Sequence, residues 1–267
     1  MREVVGKALK DLVQYGLKAV LDLFIPRQCI VCEKVLDISE KHLCRECLDD
    51  IPHTYYWLRK YNPMADRFNA LIQEEWESRI AGHGIGTPPC REDYAYATAL
   101  YFYRADSGYN QISRQVKYQG NIPAGRYFGQ LLGERLTQAE YLSDVDAVIP
   151  IPLHWTRKWS RGYNQAEVLA SEVATVLGAE LRTDILERSR RTRTQTKLSI
   201  ESKAANVKGA FRIKADASAI SDLKHLLIID DIFTTGSTAL ACYSALREVF
   251  PPSVRISIAT LGFVGEA

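Results

Sequence analysis

Residues 225–240 read HLLIIDDIFTTGSTAL. The four apolar residues at 226–229 lack the two-residue alternation of a half-exposed strand and fit a strand covered on both faces. Covering both faces requires helices on either side of a sheet, which narrows the fold class to α/β. The run then meets two adjacent carboxylates, Asp230 and Asp231, and a turn of small hydroxyl residues around Gly236 that opens a helical pattern. A buried strand that ends in two negative charges calls for a chemical reason.

The neighbouring sequence supplies the other layers. YAYATALYFYR (94–104) alternates small with aromatic or aliphatic residues as a strand does, and AGRYFGQLLGERL (124–136) reads as a helix. DAVIPIP (146–152) is a strand interrupted by prolines. NQAEVLASEVATVLG (164–178) places Ala166, Leu169, Ala170, Val173 and Leu177 on one helical face, with Gly178 suited to the cap. SVRISIATLGF (253–263) reads as a last strand. Strands alternating with helices predict a mainly parallel sheet flanked by helices over residues 94–267. Residues 54–93 read as a linker or irregular segment, because AGHGIGTPPC (81–90) is rich in Gly and Pro.

Residues 1–53 read as an amphipathic helix followed by paired cysteines. Val5, Leu9, Leu12, Val13, Val20, Leu23 and Phe24 recur at helical spacing, but Lys7, Lys10, Asp11, Lys18 and Asp22 break every apolar core. That excludes a signal peptide or a membrane span and leaves a helix ending at Pro26. Its apolar face is expected on its own domain, with a membrane surface or a partner as the alternative. With 46% apolar and 25% charged residues the chain is ordinary globular material, and the sequence places it in the cytoplasm. The net charge of +2 is uninformative, but residues 182–214 hold ten Lys or Arg against three Asp or Glu.

Cys29 and Cys32 (CIVC) are followed after eleven residues by Cys44 and Cys47 (CREC). Two-residue gaps let both thiolates of a pair reach one ion, and four sulfurs make the closed tetrahedral shell that structural zinc favours. An iron–sulfur centre or redox thiols are the alternatives. So small a module is expected to draw folding free energy from the metal. Cys242 reads as buried in a helix, and Cys90 as incidental.

Ligands of open parallel sheets bind beyond the carboxyl ends of the strands. Two adjacent carboxylates there suit the vicinal hydroxyls of a ribose. Thr234, Thr235, Gly236, Ser237 and Thr238 offer backbone N–H groups and hydroxyls at a helix start, which suits a phosphate. A phosphorylated ribose satisfies both. A Mg²⁺-binding strand of ATPases would need a G-x-x-x-x-G-K-[ST] loop, which is absent. Acids that merely solvate a strand end remain the plain alternative.

This acid–hydroxyl motif resembles the 5-phosphoribosyl-1-pyrophosphate (PRPP) motif of type I phosphoribosyltransferases. With KYQG (117–120), VIPIPLH (148–154), RGYNQAE (161–167) and RTQTKLS…NVKGAF (193–211) in this order, the chain resembles the ComF family of competence-associated proteins, which includes GntX-type members. The family carries an N-terminal four-cysteine zinc module. Arg114 stands where family members commonly have histidine.

The resemblance implies a type I phosphoribosyltransferase-like fold with a zinc module, and roles for particular residues. Asp230 and Asp231 would hold the ribose and residues 234–238 the 5-phosphate. Lys117, Pro150, Ile151, Pro152, Leu153, His154, Arg161, Asn164 and Gln165 would serve the pyrophosphate loop. Arg190, Arg191, Thr192, Arg193 and Gln195 would belong to a mobile loop that closes over the reacting centre. Zinc would be structural, and Mg²⁺ would arrive with PRPP. The resemblance also implies a part in DNA uptake, with single-stranded DNA and a competence helicase or recombination mediator as partners, and with location at the inner membrane face through a partner. Transfer to an unidentified acceptor, with no role in uptake, is the alternative. Trp155, Trp159 and Tyr163 among cations would offer stacking surfaces for single strands.

Overall fold

The computed structural model describes residues 26–83, 94–118, 120–154, 159, 162–189, 209–214 and 222–265. The helix expected before Pro26, Cys90 and Trp155 lie outside them. In chain order the elements are α1 (Arg45–Asp49), a 3₁₀ turn (Tyr56–Leu58), α2 (Pro63–His83), β1 (Ala97–Phe102), α3 (Asn110–Tyr118), α4 (Ile122–Leu136), a second 3₁₀ turn (Glu140–Leu142), β2 (Ala147–Pro150), α5 (Gln165–Leu177), β3 (Glu180–Leu181), β4 (Leu186–Arg188), β5 (Phe211–Ile213), β6 (His225–Phe233), α6 (Ser237–Arg247) and β7 (Arg255–Phe263).

Five strands form one sheet in the order β1-β7-β6-β2-β3, and every pairing in it is parallel. β4 and β5 make a separate antiparallel pair beside α6. The apolar run behaves as its pattern demands. Leu226 and Ile228 of β6 are buried with Met64, Phe68, Cys242 and Leu246 on the α2/α6 side. Leu227 and Ile229 are buried with Phe128, Leu132, Leu169 and Val173 on the α4/α5 side. Each fully buried side chain of this kind contributes roughly 1.5–3 kcal/mol of transfer free energy.

Local chemistry sets the helices. Asn164 caps α5 by accepting from the Ala166 N–H at 3.2 Å, and Gly178 ends it in the left-handed conformation. Asn121 caps α4 in the same way through Ala124. Gly125, Gly129 and Gly133 form a stripe one turn apart along α4 facing Val168, Leu169 and Val176 of α5. A β-carbon on any of them would come within about 3 Å of that helix, so the stripe permits the close packing.

The segment expected to be irregular between 54 and 93 contains α2, a helix of 21 residues. The start signal is present: Asn62 accepts from the Ala65 N–H at 3.0 Å and Pro63 takes the first helical position. Met64, Ala65 and Phe68 are completely buried against the sheet and α6, but the polar run after Gln73 dilutes that apolar stripe. The cysteine segment likewise shares the domain core. Leu43, Cys44, Ile51 and Trp57 are buried in the same cluster as Phe128 and Leu132. Among the described residues no helix is long and apolar enough to cross a membrane.

Candidate ribose-phosphate site and metal centre

α5 follows β2 on one face of the sheet and α6 follows β6 on the other, so the chain changes direction between β2 and β6. A crevice opens there beyond the carboxyl ends of the strands. β2 stops at Pro150, opposite Ile229, and the Ile151 N–H donates to the Ile229 carbonyl at 2.9 Å. β6 continues to Phe233 along β7, four residues beyond the apolar run. Asp230 and Asp231 therefore lie on the side of β6 that β2 leaves open.

Strand alternation separates their surroundings. Asp230 lies on the α6 side, within electrostatic reach of Cys242, and lines a cavity of about 20 Å³ with Thr234, Gly236, Thr238 and Thr260. Asp231 is buried within reach of Tyr101, and its backbone N–H donates to the Asp230 carboxyl at 2.8 Å. Burial, and then the negative charge of Asp231, pushes the Asp230 carboxyl well above the usual range. A roomier cleft of about 490 Å³ lies elsewhere, between the cysteine segment and α4 near His53, Tyr55 and Arg135. It contains neither aspartate.

Gly236 adopts φ +83°, and a β-carbon on it would lie 2.5 Å from Leu71 Cδ1 and 2.6 Å from Phe233 Cζ. Only glycine meets both conditions without strain. The turn then enters α6, where Thr235 Oγ1 and Ser237 Oγ lie 2.9 Å apart and the Ser237 N–H reaches Thr235 Oγ1 at 3.4 Å. Hydroxyls and first-turn N–H groups thus gather next to the acid pair, a donor set suited to phosphate.

Lys117, grouped with the pyrophosphate loop in the sequence reading, lies against the acid pair. Its Nζ is 2.5 Å from Asp231 Oδ2. The loop at 151–154 follows β2 directly, with Ile151 and His154 buried and Pro152 and Leu153 partly so. The Asn164 amide donates to the Ile151 carbonyl at 3.1 Å while the same side chain caps α5, so Asn164 fastens the loop to the helix. Gln165 is buried beside it. Among the described residues no peptide bond is cis. Trp159 is 88% exposed, whereas the Tyr163 hydroxyl is bonded to the Val116 carbonyl, so only the former presents a free face. Arg161, Arg190, Arg191, Thr192, Arg193 and Gln195 lie outside the described residues.

The sequence reading missed Thr260, Leu71 and Tyr101. A Thr inside the mostly apolar run of residues 255–263 was the available sequence signal for the first, which the structure buries completely. The other two carry no local mark, since they come to the site from distant strands and helices.

The four cysteines converge: the Sγ atoms of Cys29, Cys32, Cys44 and Cys47 all lie within 4.8 Å of one another. Burial opposes ionisation of Cys29, but backbone N–H groups of Cys32, Cys44 and Val31 outweigh it and bring its thiol down to about 7. Burial and its thiol neighbours push Cys47 up. Such a cluster can hold a metal ion, and thiolate sulfur suits zinc. The domain grips it from outside. The Tyr109 hydroxyl donates to the Cys47 carbonyl at 2.9 Å, and Gly108 is so close to Val31 that a β-carbon would lie 2.8 Å from its carbonyl oxygen.

Comparison with known proteins agrees with this geometry. Residues 164–262 match the phosphoribosyl transferase domain, a span from the cap of α5 through β7. The chain is 25% identical over 242 residues to competence protein F of Haemophilus influenzae, covering 87% of this chain and 96% of that protein. It is 37% identical over 130 residues to the DNA utilization protein YhgH of Salmonella typhi, covering 48% of this chain and 56% of that one. Against YhgH of Escherichia coli K12 the figures are 34% over 93 residues, 35% of this chain and 39% of that protein. With its parallel sheet, its acid–hydroxyl crevice and its four-cysteine cluster, the chain is a homologue of competence protein F and YhgH that carries a phosphoribosyl transferase domain.

Proposed function

We propose that this protein binds PRPP with Mg²⁺ in the β2–β6 crevice and takes part in DNA uptake, handling incoming single-stranded DNA with a helicase-type or recombination-mediator partner. The observation that carries the reading is the acid pair on the open side of β6 beside a hydroxyl-lined helix start, within a phosphoribosyl transferase domain. The ribose hydroxyls pair with Asp230 and Asp231, the 5-phosphate takes the turn at 234–238, and the diphosphate lies toward the loop at 151–154. Mg²⁺ accompanies the diphosphate, keeping most of its waters. Zinc in the cysteine cluster is structural. The DNA role rests on the relatives named for competence and DNA utilization and on the basic excess at 182–214. The protein then works in the cytoplasm, at the inner membrane face when its partner is there.

An active phosphoribosyltransferase without a role in uptake is the second reading, and the intact acid pair and Gly236 favour it. Such an enzyme would break the bond from ribose C1 to the pyrophosphate oxygen, form one to an acceptor, and release pyrophosphate. Catalysis would consist of positioning and electrostatics.

Two measurements test the proposal. PRPP with Mg²⁺ at 100 times its dissociation constant stabilises the folded state by about 2.7 kcal/mol. For a protein of this size that is a shift of roughly 5–10 °C in the thermal midpoint. An unchanged midpoint at saturating concentrations counts against the ligand. A labelled oligothymidylate should bind with affinity that falls steeply between low and physiological salt. Affinity insensitive to salt contradicts the basic-surface account of DNA handling.

A further inference from the structure

Adjacent carboxylates at a strand end serve two different ligands. A pair of negative charges attracts a divalent cation, whereas a pair with little net charge suits the neutral diol of a sugar. Here the difference is made by Lys117. Its Nζ approaches Asp231 Oδ2 to 2.5 Å, and the Asp231 side chain is only 5% exposed. Lys117 comes from the last turn of α3, and that helix is held at both ends. At its start Tyr109 is bonded to the Cys47 carbonyl; near its end the Val116 carbonyl takes the Tyr163 hydroxyl.

We propose that Lys117 is a specificity-determining residue: its ammonium fills the position a bare divalent ion would take at the acid pair, so the pair accepts a ribose diol and rejects free metal. The inference rests on the ribose reading of the crevice and adds to it the reason that Mg²⁺ enters only on the diphosphate.

Charge and geometry both support the exclusion. One ammonium against Asp231 cancels one of the two negative charges, and burial beside a neighbouring acid favours the neutral form of Asp230. The pair then carries little charge with which to strip a hydrated Mg²⁺ of its waters. Mg²⁺ also needs octahedral ligands at about 2.0–2.1 Å, which an oxygen already engaged by an ammonium does not provide. A diol has no such demand. Each hydroxyl both donates and accepts, and a carboxylate offers lone pairs to it without fixed octahedral geometry.

The test uses Mn²⁺ as a paramagnetic probe, titrated into the zinc-loaded full chain without PRPP. Wild type should show no site that Asp231→Asn removes. Lys117→Met, which keeps an unbranched apolar stem and loses the charged end, should gain one Mn²⁺ site about tenfold or more tighter than anything in wild type. Adding Asp231→Asn to that variant should abolish the gain. Lys117→Gln replaces the methionine variant should the latter not fold. A Mn²⁺ site in wild type that Asp231→Asn removes overturns the proposal, and so does a folded Lys117 variant that gains none. Ribose 5-phosphate is titrated into wild type in buffer free of added divalent ions. Its binding keeps the ribose reading alive even if the Mn²⁺ arm fails, and its absence sinks that reading and the proposal with it.

Discussion

The two ends of β6 hold polar groups of opposite character. At the entry, His225 is completely buried with both ring nitrogens engaged, Nδ1 with Asp144 at 2.8 Å and Nε2 with Ser257 at 2.8 Å. Asp146 accepts the N–H groups of Lys224 and His225 at 2.7 and 2.8 Å, and Arg255 pairs with Asp144. At the exit two carboxyls share one lysine, one of them driven toward its neutral form, beside a glycine held against Leu71 and Phe233. The first end satisfies its groups and contributes to folding. The second gathers like charges beside a helix start, which costs stability and suits a ligand instead.

Exchanging the roles of the two ends by mutation should break the comparison if it is wrong. His225→Ala removes a satisfied group, opens a cavity and strands Ser257. It should cost roughly 2–4 kcal/mol of stability, read by denaturant unfolding, with PRPP affinity unchanged in the folded fraction. Gly236→Ala should cost roughly 1–3 kcal/mol from backbone strain and the clash with Leu71, and unlike His225→Ala it should weaken PRPP binding as well.

Asp230→Asn should move the two properties in opposite directions. A carboxyl whose folded value is raised contributes its full stability only below its unfolded value near 3.9, and loses it as pH rises through the folded value. At neutral pH it is a liability, so the amide should raise the thermal midpoint by about 2–4 °C while weakening PRPP binding. A lowered midpoint would place Asp230 with the satisfied end.

A separate effect is on acid stability. Burial lowers the His225 value to about 4, so the neutral ring stabilises the fold above its unfolded value near 6.5. That contribution should fade as pH falls from about 6.5 toward 4, and His225→Asn should flatten the profile.

What the sequence disclosed follows contiguity. The buried strand, the acid pair, the hydroxyl turn and the cysteine spacing each lie within a few residues, so pattern and local chemistry identified them. The Gly178 end of α5 was readable for the same reason. Contacts between distant segments were not readable. Lys117 reaches Asp231 because α3 crosses to β6, and nothing in KYQG states which anion its lysine will meet. The stripe of glycines along α4 went unread, because the face of α5 that it meets is set by packing. α2 escaped because its buried residues cluster at one end and a polar run occupies the other. Gln73, Glu74, Glu77 and Ser78 of that run are exposed.

The most direct test is calorimetric titration of the zinc-loaded protein with PRPP and Mg²⁺, beside Asp230→Asn/Asp231→Asn. Saturable binding by wild type, lost in the double variant with zinc content and folding unchanged, is the result this account predicts. Equal affinity in the two proteins would contradict it and remove the exit of β6 as the ribose site.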